Sequence, residues 1–423
     1  MAKKRQRRHA QKSVALKPAE RYARALRQYE AGHLSRAEQT LNALIKLTPN
    51  HVETRVLLAR ICAHLDEYDR ASAELQKAIE LEPSNAQLRL NLGEVLYQAG
   101  RELEAVTALE TAHHMDPENR RALDGLSSIL FKQAKSERSV ALWTRARSYL
   151  ERYCALEPTN VPKRWILADC YEREGAKDKR LQTLREIHSI APEDPSASHL
   201  IAAADGRGEV TTADISYVRD VFDAAAEHFD RELVDTLKYQ VPQQIKSGVD
   251  ALLKAGQSLG HVLDLGCGTG LVAEAIRSRC QSLTGVDVSS QMVENARKKA
   301  LYDNLHVATL EDYLDEASTP YDTIIAADVL MYVGALEDVF AKVAQRLAEG
   351  GLFIFSIELL AESGFKLQSS GRFAHSDAYV HQLISRFGFS QIQGQEMTIR
   401  MEGTSPLMGV LYVLRRVRRS GSM

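Results

Sequence analysis

VLDLGCGTG fills residues 262–270, and a second short apolar run ends at Asp287. Val262 to Leu265 suits a strand buried in a parallel sheet, and Gly266, Gly268 and Gly270 follow as a turn bare of side chains that lets a ligand approach the main chain. Val272, Ala275 and Ile276 then restore helical spacing, so the glycines join the carboxyl end of a strand to the amino end of a helix, where free amides attract an anion. Crevices of this kind hold cofactors in open α/β sheets. Leu283 to Val286 reads as the next strand, and 287 − 266 = 21 puts Asp287 where a carboxylate accepts both hydroxyls of a ribose. The pattern predicts a nucleoside cofactor.

A dinucleotide fingerprint has its third glycine five positions after the first; that position is Leu271 here, and the third glycine stands at Gly270, which disfavours NAD. Asp264, one residue before the turn, would repel a pyrophosphate, yet it suits the ammonium of an amino-acid moiety whose carboxylate is taken by the turn amides. S-adenosylmethionine combines these groups. The stretch from about Tyr217 onward resembles the class I S-adenosylmethionine-dependent methyltransferases of the type 11/12-like kind, whose first motif looks like Val262 to Gly270 and whose second ends in an acid like Asp287. Leu310-Glu311-Asp312 is similar to the family's third motif, in which an acid faces the adenine amino group; Asp312 is the preferred acid. YDTIIAADV, residues 321–329, is similar to the fourth, whose terminal acid, here Asp328, lies beside the methionine end and the substrate. LAEGGLFIFSI, residues 347–357, supplies the Gly-Gly turn before a buried strand.

The resemblance thus implies a Rossmann-like α/β domain with a cofactor site formed by Asp264, Gly266, Cys267, Gly268, Gly270, Asp287, Val288, Glu311, Asp312 and Asp328. Asp287 and Asp312 taken alone would be ordinary strand-end or N-cap residues. Cys267 sits in the turn as a small packing residue, because no His or second Cys is spaced to activate it.

The first half follows a different period. Pro49, Pro83 and Pro117 are 34 residues apart, as are Pro158 and Pro192. Side chains between them recur in phase: Ala37, Ala71 and Ala105; Leu41, Leu75 and Leu109; Leu47, Leu81 and Met115, with Leu58-Ala59 and Leu92-Gly93 on the preceding helix. Small residues belong where helices cross closely. The pattern over about Pro18 to Pro192 resembles tetratricopeptide repeats, each a helix, a turn and a second helix. The interval from Pro117 to Pro158 is 41, seven residues longer, close to two helical turns, so an insertion within Lys135 to Leu142 lengthens a helix while Ala146, Leu150 and Leu156 return to phase. Five units result, the last running through Trp165, Leu167-Ala168, Tyr171, Leu184 and Ile187. Such an all-α solenoid presents a concave surface for a peptide or protein partner; the alternatives are a spacer or a dimerisation surface.

At 423 residues, 44% hydrophobic and 26% charged, the chain is long enough for two soluble domains. A formal net charge of −2 gives the body no general attraction for nucleic acid or anionic membranes. Lys3, Lys4, Arg5, Arg7, Arg8 and Lys12 at one end, and Arg415, Arg416, Arg418 and Arg419 at the other, read as solvated tails without the aromatics of an RNA-binding segment. No secretory signal or membrane-length apolar run is present, so a cytoplasmic location is expected. The five scattered cysteines and thirteen histidines show no ligand spacing, and no metal is expected. His113-His114, near a helix end, suits dipole compensation. The expected organisation is a disordered basic tail at 1–17, repeats at 18–192, a linker at 193–212 marked by Pro195, Gly206 and Gly208, the methyltransferase-like domain at 213–415, and a basic tail at 416–423.

Within that domain, 214–253 reads as two amphipathic helices that in small-molecule members of the family fold over the cofactor as a lid. Phe222 and Phe229 are assigned to core packing, and Tyr239 to a cofactor or substrate contact. Arg372, His375 and Tyr379 form a polar cluster in which Ser376 caps a helix, leaving Arg372 and His375 in a loop that borders the substrate. His375 and Asp328 are the candidates for catalysis, although transfer to an already nucleophilic atom needs little beyond alignment. Relatives that methylate exocyclic adenine nitrogens or glutamine amides carry Asn or Asp, two prolines and an aromatic where this chain has Asp328-Val329-Leu330-Met331, which argues against those acceptors. The reading is a methyltransferase acting on an unidentified small-molecule or protein acceptor, with repeats that bind a protein. Its rivals are a protein-binding scaffold with a catalytically inactive cofactor domain, and an NAD-dependent oxidoreductase.

Overall fold

The structure, a computed structural model, describes residues 17–137, 139–205, 210–254, 256–317, 319–402 and 405–417. The basic run from Lys3 to Lys12, and Arg418 and Arg419, lie outside the described residues. The chain divides into two compact units, Met1–Thr183 and Leu184–Met423.

Helices follow one another in pairs: α1 (Pro18–Glu30) and α2 (Leu34–Leu47), α3 (Val52–His64) and α4 (Tyr68–Leu81), α5 (Ala86–Gln98) and α6 (Glu102–Met115), α7 (Arg120–Glu137) and α8 (Val140–Leu156), α9 (Val161–Arg173) and α10 (Lys177–Ile190). The first three pairs each join 13 residues to 14, whereas α7 has 18 and α8 has 17. The seven extra residues are therefore absorbed by both helices of the fourth pair, and Ala146 and Leu150 stay fully buried. Ala37, Ala71, Ala105, Leu41, Leu75 and Leu109 are buried too, while Leu47, Leu81, Met115 and Leu156 recur in the same phase but face solvent. Gly93 marks a close crossing: a Cβ there would lie 2.6 Å from Leu109 Cγ. A recurrence that the prolines did not reveal is the arginine six residues after three of them. Arg55, Arg89 and Arg164 donate to the carbonyls of Pro49, Pro83 and Pro158. Leu123 stands at that place in the fourth unit, and Arg152 reaches the Pro117 carbonyl instead.

The stretch expected as a linker contains helix α11 (Pro195–Asp205). Pro195 occupies its first turn, where a missing N–H is harmless, and Asp194 Oδ1 accepts from the Ser196 amide, so the proline starts a helix rather than breaking one. His199 ties it to the rest of the second unit by a 2.8 Å contact to the Gly371 carbonyl and by a tilted ring contact with Tyr217 at 4.6 Å.

The rest of that unit comprises α12 (Ile215–Ala225), α13 (Val241–Leu252), β1 (His261–Leu265), α14 (Leu271–Ile276), β2 (Ser282–Asp287), α15 (Ser290–Lys298), β3 (Asn304–Val307), α16 (Leu310–Glu316), β4 (Tyr321–Ala326), α17 (Glu337–Arg346), β5 (Leu347–Leu359), β6 (Phe365–Leu367), β7 (Phe373–His375), α18 (Asp377–Arg386), β8 (Phe389–Glu402) and β9 (Ser405–Arg416). The strand order is β3-β2-β1-β4-β5-β7-β6; the first five strands are mutually parallel, and β9 adds antiparallel to β5 and carries β8 on its other side. Successive strand residues serve opposite faces. Leu263, Leu265, Ile324, Phe353 and Phe355 pack with Val339 and Phe340 of α17 and Leu383 of α18, while Val262, Leu283, Ile325 and Ile354 pack with Ile245 of α13 and Val272 and Ile276 of α14. Both faces are covered, which is why the strands read as unbroken apolar runs. Arg415 and Arg416, expected in a solvated tail, belong to β9, and the Arg416 guanidinium donates to the Leu347 carbonyl. None of the described helices is long and apolar enough to cross a membrane.

Candidate cofactor-binding site

Strand order reverses between β1 and β4, and the cavity of the second unit, about 210 Å³, opens there at the carboxyl ends of the strands. Gly266, Gly268 and Gly270 have φ of +67°, +52° and +90°, conformations that side chains rarely tolerate. They differ in what a side chain would meet. A Cβ at Gly266 would lie 2.5 Å from Val329, whereas one at Gly268 would have nothing within 4 Å, because Gly268 faces the cavity. The amides of Gly266 and Cys267 donate to the Val286 carbonyl, that of Gly268 to Asp287 Oδ2, and that of Gly270 to the Cys267 carbonyl. These four groups therefore already have acceptors, contrary to the expectation that the turn amides bind an anion; the turn contributes open space.

Asp287, at the end of β2, lines the cavity and accepts from the amides of Gly268 at 2.8 Å and Ser289 at 2.9 Å. Burial pushes its carboxyl above the usual carboxylate range, and the two amides oppose that shift. Each oxygen keeps a lone pair for a hydroxyl donor. Val288 and Glu311 also border the cavity. Asp312, preferred over Glu311 on sequence, is exposed and outside the lining; the Thr309 cap that accepts from the Asp312 amide starts α16 so that Glu311 turns inward.

Asp264 is fully buried on the α13–α14 side of the sheet and does not border the cavity; Tyr302 donates to its Oδ2 at 2.7 Å, and Oδ1 has no hydrogen-bond partner among the described residues. Burial pushes its carboxyl up to about 7, the Tyr302 bond working against this. Gly270 also lies outside the lining, whereas Cys267 borders the cavity with its thiol pushed up by burial.

Asp328 follows β4 and adopts a φ of +56°, a strained choice for a non-glycine residue that Ser356 fixes by accepting from its amide at 2.8 Å. Its Oδ2 accepts from Arg400 of β8 at 2.7 Å, and burial nevertheless holds its carboxyl up at about 6. Arg400 also reaches Glu358 at 3.2 Å and Glu402 at 3.5 Å, and Arg372 pairs with the same two acids. Arg372 is thus spent in this network and does not border the cavity. His375 is a correction as well: it is a residue of β7, wholly buried, with Nε2 between the carbonyls of Val333 and Gly334, and burial pushes its pKa down to about 4. It does not line the cavity and reaches no general-base position. Tyr379 is likewise turned away, donating to Glu337 and accepting from the Leu336 amide. Ser376 does cap α18.

The segment expected as two lid helices forms three pieces, α12, a π-helical turn at Arg231–Thr236 and α13. π-turns are rare and cluster at functional sites. Phe222 and Phe229, assigned to core packing, line the cavity with Tyr239; Phe222 also packs against the cluster of Ala213, Tyr217, Val218 and Phe373, and the two phenylalanines meet edge to face at 5.9 Å. The segment is tied down by Asp223, which accepts from Ser289, by Asp230, which accepts from Thr269 and pairs with Lys299 at 2.7 Å, and by the Ala226 carbonyl, which accepts from Asn295. Sequence reading missed Met331, Tyr332 and Arg400 in the lining. Among the described residues no group of three His, Cys, Asp or Glu is placed to hold a metal.

Residues 263–353 match the methyltransferase-domain family, and residues 59–100 match the TPR repeat family. A ubiquinone biosynthesis O-methyltransferase of Pasteurella multocida is 31% identical over 108 residues, 22% of this chain and 45% of that protein. Methyltransferase-like protein 27 of Homo sapiens is 35% identical over 129 residues, 30% of this chain and 49% of that protein. The chain spans about half the length of the curated relatives it matches. Among solved structures, magnesium protoporphyrin IX methyltransferase from Synechocystis PCC 6803 with bound SAH is 19% identical with a TM-score of 0.39, covering 48% of this chain and 99% of that one. The second unit of this chain carries a methyltransferase domain, and the first carries tetratricopeptide repeats.

Proposed function

We propose that the second unit is a methyltransferase that binds S-adenosylmethionine in the cavity between β1 and β4 and moves its methyl group to an acceptor. One observation carries this reading: the bare wall at Gly268, with nothing within 4 Å of a Cβ, stands against a buried carboxylate, Asp287, whose oxygens can each take a further hydroxyl donor. A ribose lying over Gly268 would present its hydroxyls to the free lone pairs of Asp287. Glu311 and Val288 lie where the base would extend along the rim, and Asp328 and Tyr239 lie where the rim continues past β1 towards β4. The cofactor, when bound, supplies a methyl group on positively charged sulfur; the chain orients the acceptor in line with it and excludes water. The matches to methyltransferase relatives support the same activity.

The tetratricopeptide match supports a protein or peptide partner for the first unit. A groove there is lined by Tyr22, Leu26, Arg60, Asn85 and Asn91, mixing apolar walls with amide donors and acceptors. A cytoplasmic setting accords with this reading.

Isothermal titration of the full chain with S-adenosylmethionine tests the cofactor assignment, and incubation of cell extract with methyl-labelled cofactor tests turnover. Saturable heat and label entering an acceptor are expected. No heat at millimolar cofactor would remove the enzyme reading, and heat without label transfer would favour a scaffold that binds the cofactor without turnover.

A further inference from the structure

We propose that α11 positions the end of the cavity where Asp328 and Tyr332 stand, with His199 as the residue that pins it. The proposal rests on the methyltransferase reading, under which the methyl acceptor enters at that end.

One series of contacts runs through side chains. His199, 5% exposed, donates from Nε2 to the Gly371 carbonyl at 2.8 Å, and its ring lies 4.6 Å from that of Tyr217 in α12. Gly371 has a φ of +83°, and a Cβ there would lie 2.8 Å from the Tyr217 hydroxyl and 3.0 Å from Leu200 of α11, so both helices press on this turn. The next residue is Arg372. It donates to Glu358 Oε1 at 2.6 Å, Arg400 reaches the same oxygen at 3.2 Å, and Arg400 also donates to Asp328 at 2.7 Å. These four side chains are largely buried and their charges balance, Glu402 at the edge being exposed, so displacing one of them leaves a buried charge uncompensated. Arg400 and Asp328 line the cavity.

The other series runs through the main chain that follows α11. The Thr211 carbonyl accepts from the amides of Gly334 and Ala335 at 2.9 Å each, Thr212 bridges antiparallel to Val333, and the Ala213 amide donates to the Tyr332 carbonyl at 2.9 Å. These bonds hold the turn Leu330–Tyr332, which begins two residues after Asp328. Thr212 and Ala213 line the cavity beside Met331, Tyr332 and Val333. Leu200 of α11 and Phe222 of α12 pack with Tyr332 against Ala213, Tyr217, Val218 and Phe373, and the Phe222 and Tyr332 rings meet edge to face at 5.5 Å. α11 is itself held to the end of α10, where Arg185 donates to Asp205 at 2.9 Å and His188 lies 3.3 Å from Ser198.

Two attachments thus converge on one end of the cavity. Removing the donor from a buried carbonyl leaves that carbonyl unsatisfied, and a displacement of about 1 Å at a reacting group costs on the order of a hundredfold in rate. The ribose side is fastened through Asp223 and Asp230 of the cap. Val288, on that side, also packs on the cluster around Tyr217, so cofactor affinity is the control that separates the two ends.

The test compares two substitutions in the full chain: His199→Phe keeps a ring against Tyr217 and loses the N–H donor, whereas His199→Gln keeps a donor of similar reach and loses the ring. Calorimetry gives S-adenosylhomocysteine affinity, methyl-labelled S-adenosylmethionine at saturation gives transfer into acceptors of a cell extract, and mass spectrometry gives amide exchange in residues 330–335 and 368–372. His199→Phe should lower transfer about tenfold or more and speed exchange in both segments, with S-adenosylhomocysteine affinity within about twofold of the wild type. His199→Gln should bring transfer back to within severalfold. Wild-type transfer and exchange in His199→Phe would overturn the proposal, and so would a loss of cofactor affinity in step with transfer, which would place the effect at the ribose. Where the wild type transfers no label, exchange decides alone. A wild type that binds no S-adenosylhomocysteine would overturn the methyltransferase reading and this proposal together, whereas the other adverse outcomes overturn this proposal only. Should His199→Phe misfold, Ala213→Pro takes its place by deleting the amide that Tyr332 accepts: exchange at Gly334 and Ala335 should rise, and unchanged exchange there would overturn the proposal.

Discussion

Asp287 and Gly268 share one hydrogen bond, yet changing them disturbs the site in different ways. Asp287→Ala removes the acceptor of charge-assisted bonds and should weaken S-adenosylmethionine binding by more than about tenfold; Gly268→Val instead puts a branched side chain into open cavity at a φ of +52° and should abolish it. Calorimetry on folded variants checks both, and unchanged affinity in the pair would remove the site from this turn. Asp264 governs a different quantity. Burial raises its carboxyl from 3.8 to about 7, so the stability it allows is complete below the unfolded value and is lost as pH rises through 7, a loss on the order of 4 kcal/mol. Asp287 and Asp328 are raised too and act in the same direction. Thermal melts of the protein without cofactor should therefore fall by several degrees between about pH 4 and about pH 7, and Asp264→Asn should flatten that slope. A slope identical in the variant would mean that Asp264 is ionised throughout. These residues differ in how legible they were. The glycine turn and Asp287 declare themselves by spacing on adjacent elements, and the structure puts them at one cavity. Arg400 lies 72 residues from Asp328, and only the pairing of β8 with β9 and of β9 with β5 brings it there, so no local pattern could announce it.

Elements with a fixed period were the easiest to read. A repeat of 34 residues fixes five helix pairs because each hairpin must bury the same face against the next. The cap over the cavity has no such period: α12 and α13 read as helices from their apolar spacing, but the π-helical turn between them depends on how Phe229 and Leu233 meet the cavity, a tertiary matter. The short strands β6 and β7 were missed for a like reason, since three residues pair only because β5 is already in place beside β7. What holds the cap is polar. Asp230 accepts from Thr269 inside the glycine turn and pairs with Lys299, and Asp223 accepts from Ser289, two residues after Asp287. The cap is therefore fastened to the two loops that would carry the cofactor. Asp230→Ala should speed amide hydrogen exchange in residues 215–236 and raise the cofactor dissociation rate severalfold, with the sheet's protection unchanged. Exchange in 215–236 that matches the wild type would show that apolar packing, not this bond, secures the cap.

Each unit of the whole molecule buries a core of its own: Leu41, Leu75, Leu109 and Leu150 in the first, Leu263, Phe340, Phe353 and Tyr412 in the second. A helical array draws stability from neighbouring hairpins, whereas the sheet unit draws it from two faces of apolar packing and is further tied to whatever fills its cavity. Two calorimetric transitions are accordingly expected from the intact chain. S-adenosylhomocysteine at about a hundredfold over its Kd should add roughly 2.7 kcal/mol to the transition of the sheet unit and leave the other where it was. The converse perturbation is Leu109→Ala, which empties a side chain only 1% exposed between α5 and α6 beside Gly93, and should cost about 2–5 kcal/mol in the helical transition alone. Its S-adenosylhomocysteine affinity should equal that of the wild type, because the described lining residues of the cavity all belong to the second unit. A single transition that moves with both ligand and substitution would mean that the repeats and the methyltransferase domain fold as one body, and a change of cofactor affinity in Leu109→Ala would give the repeat array a direct hand in the catalytic cavity.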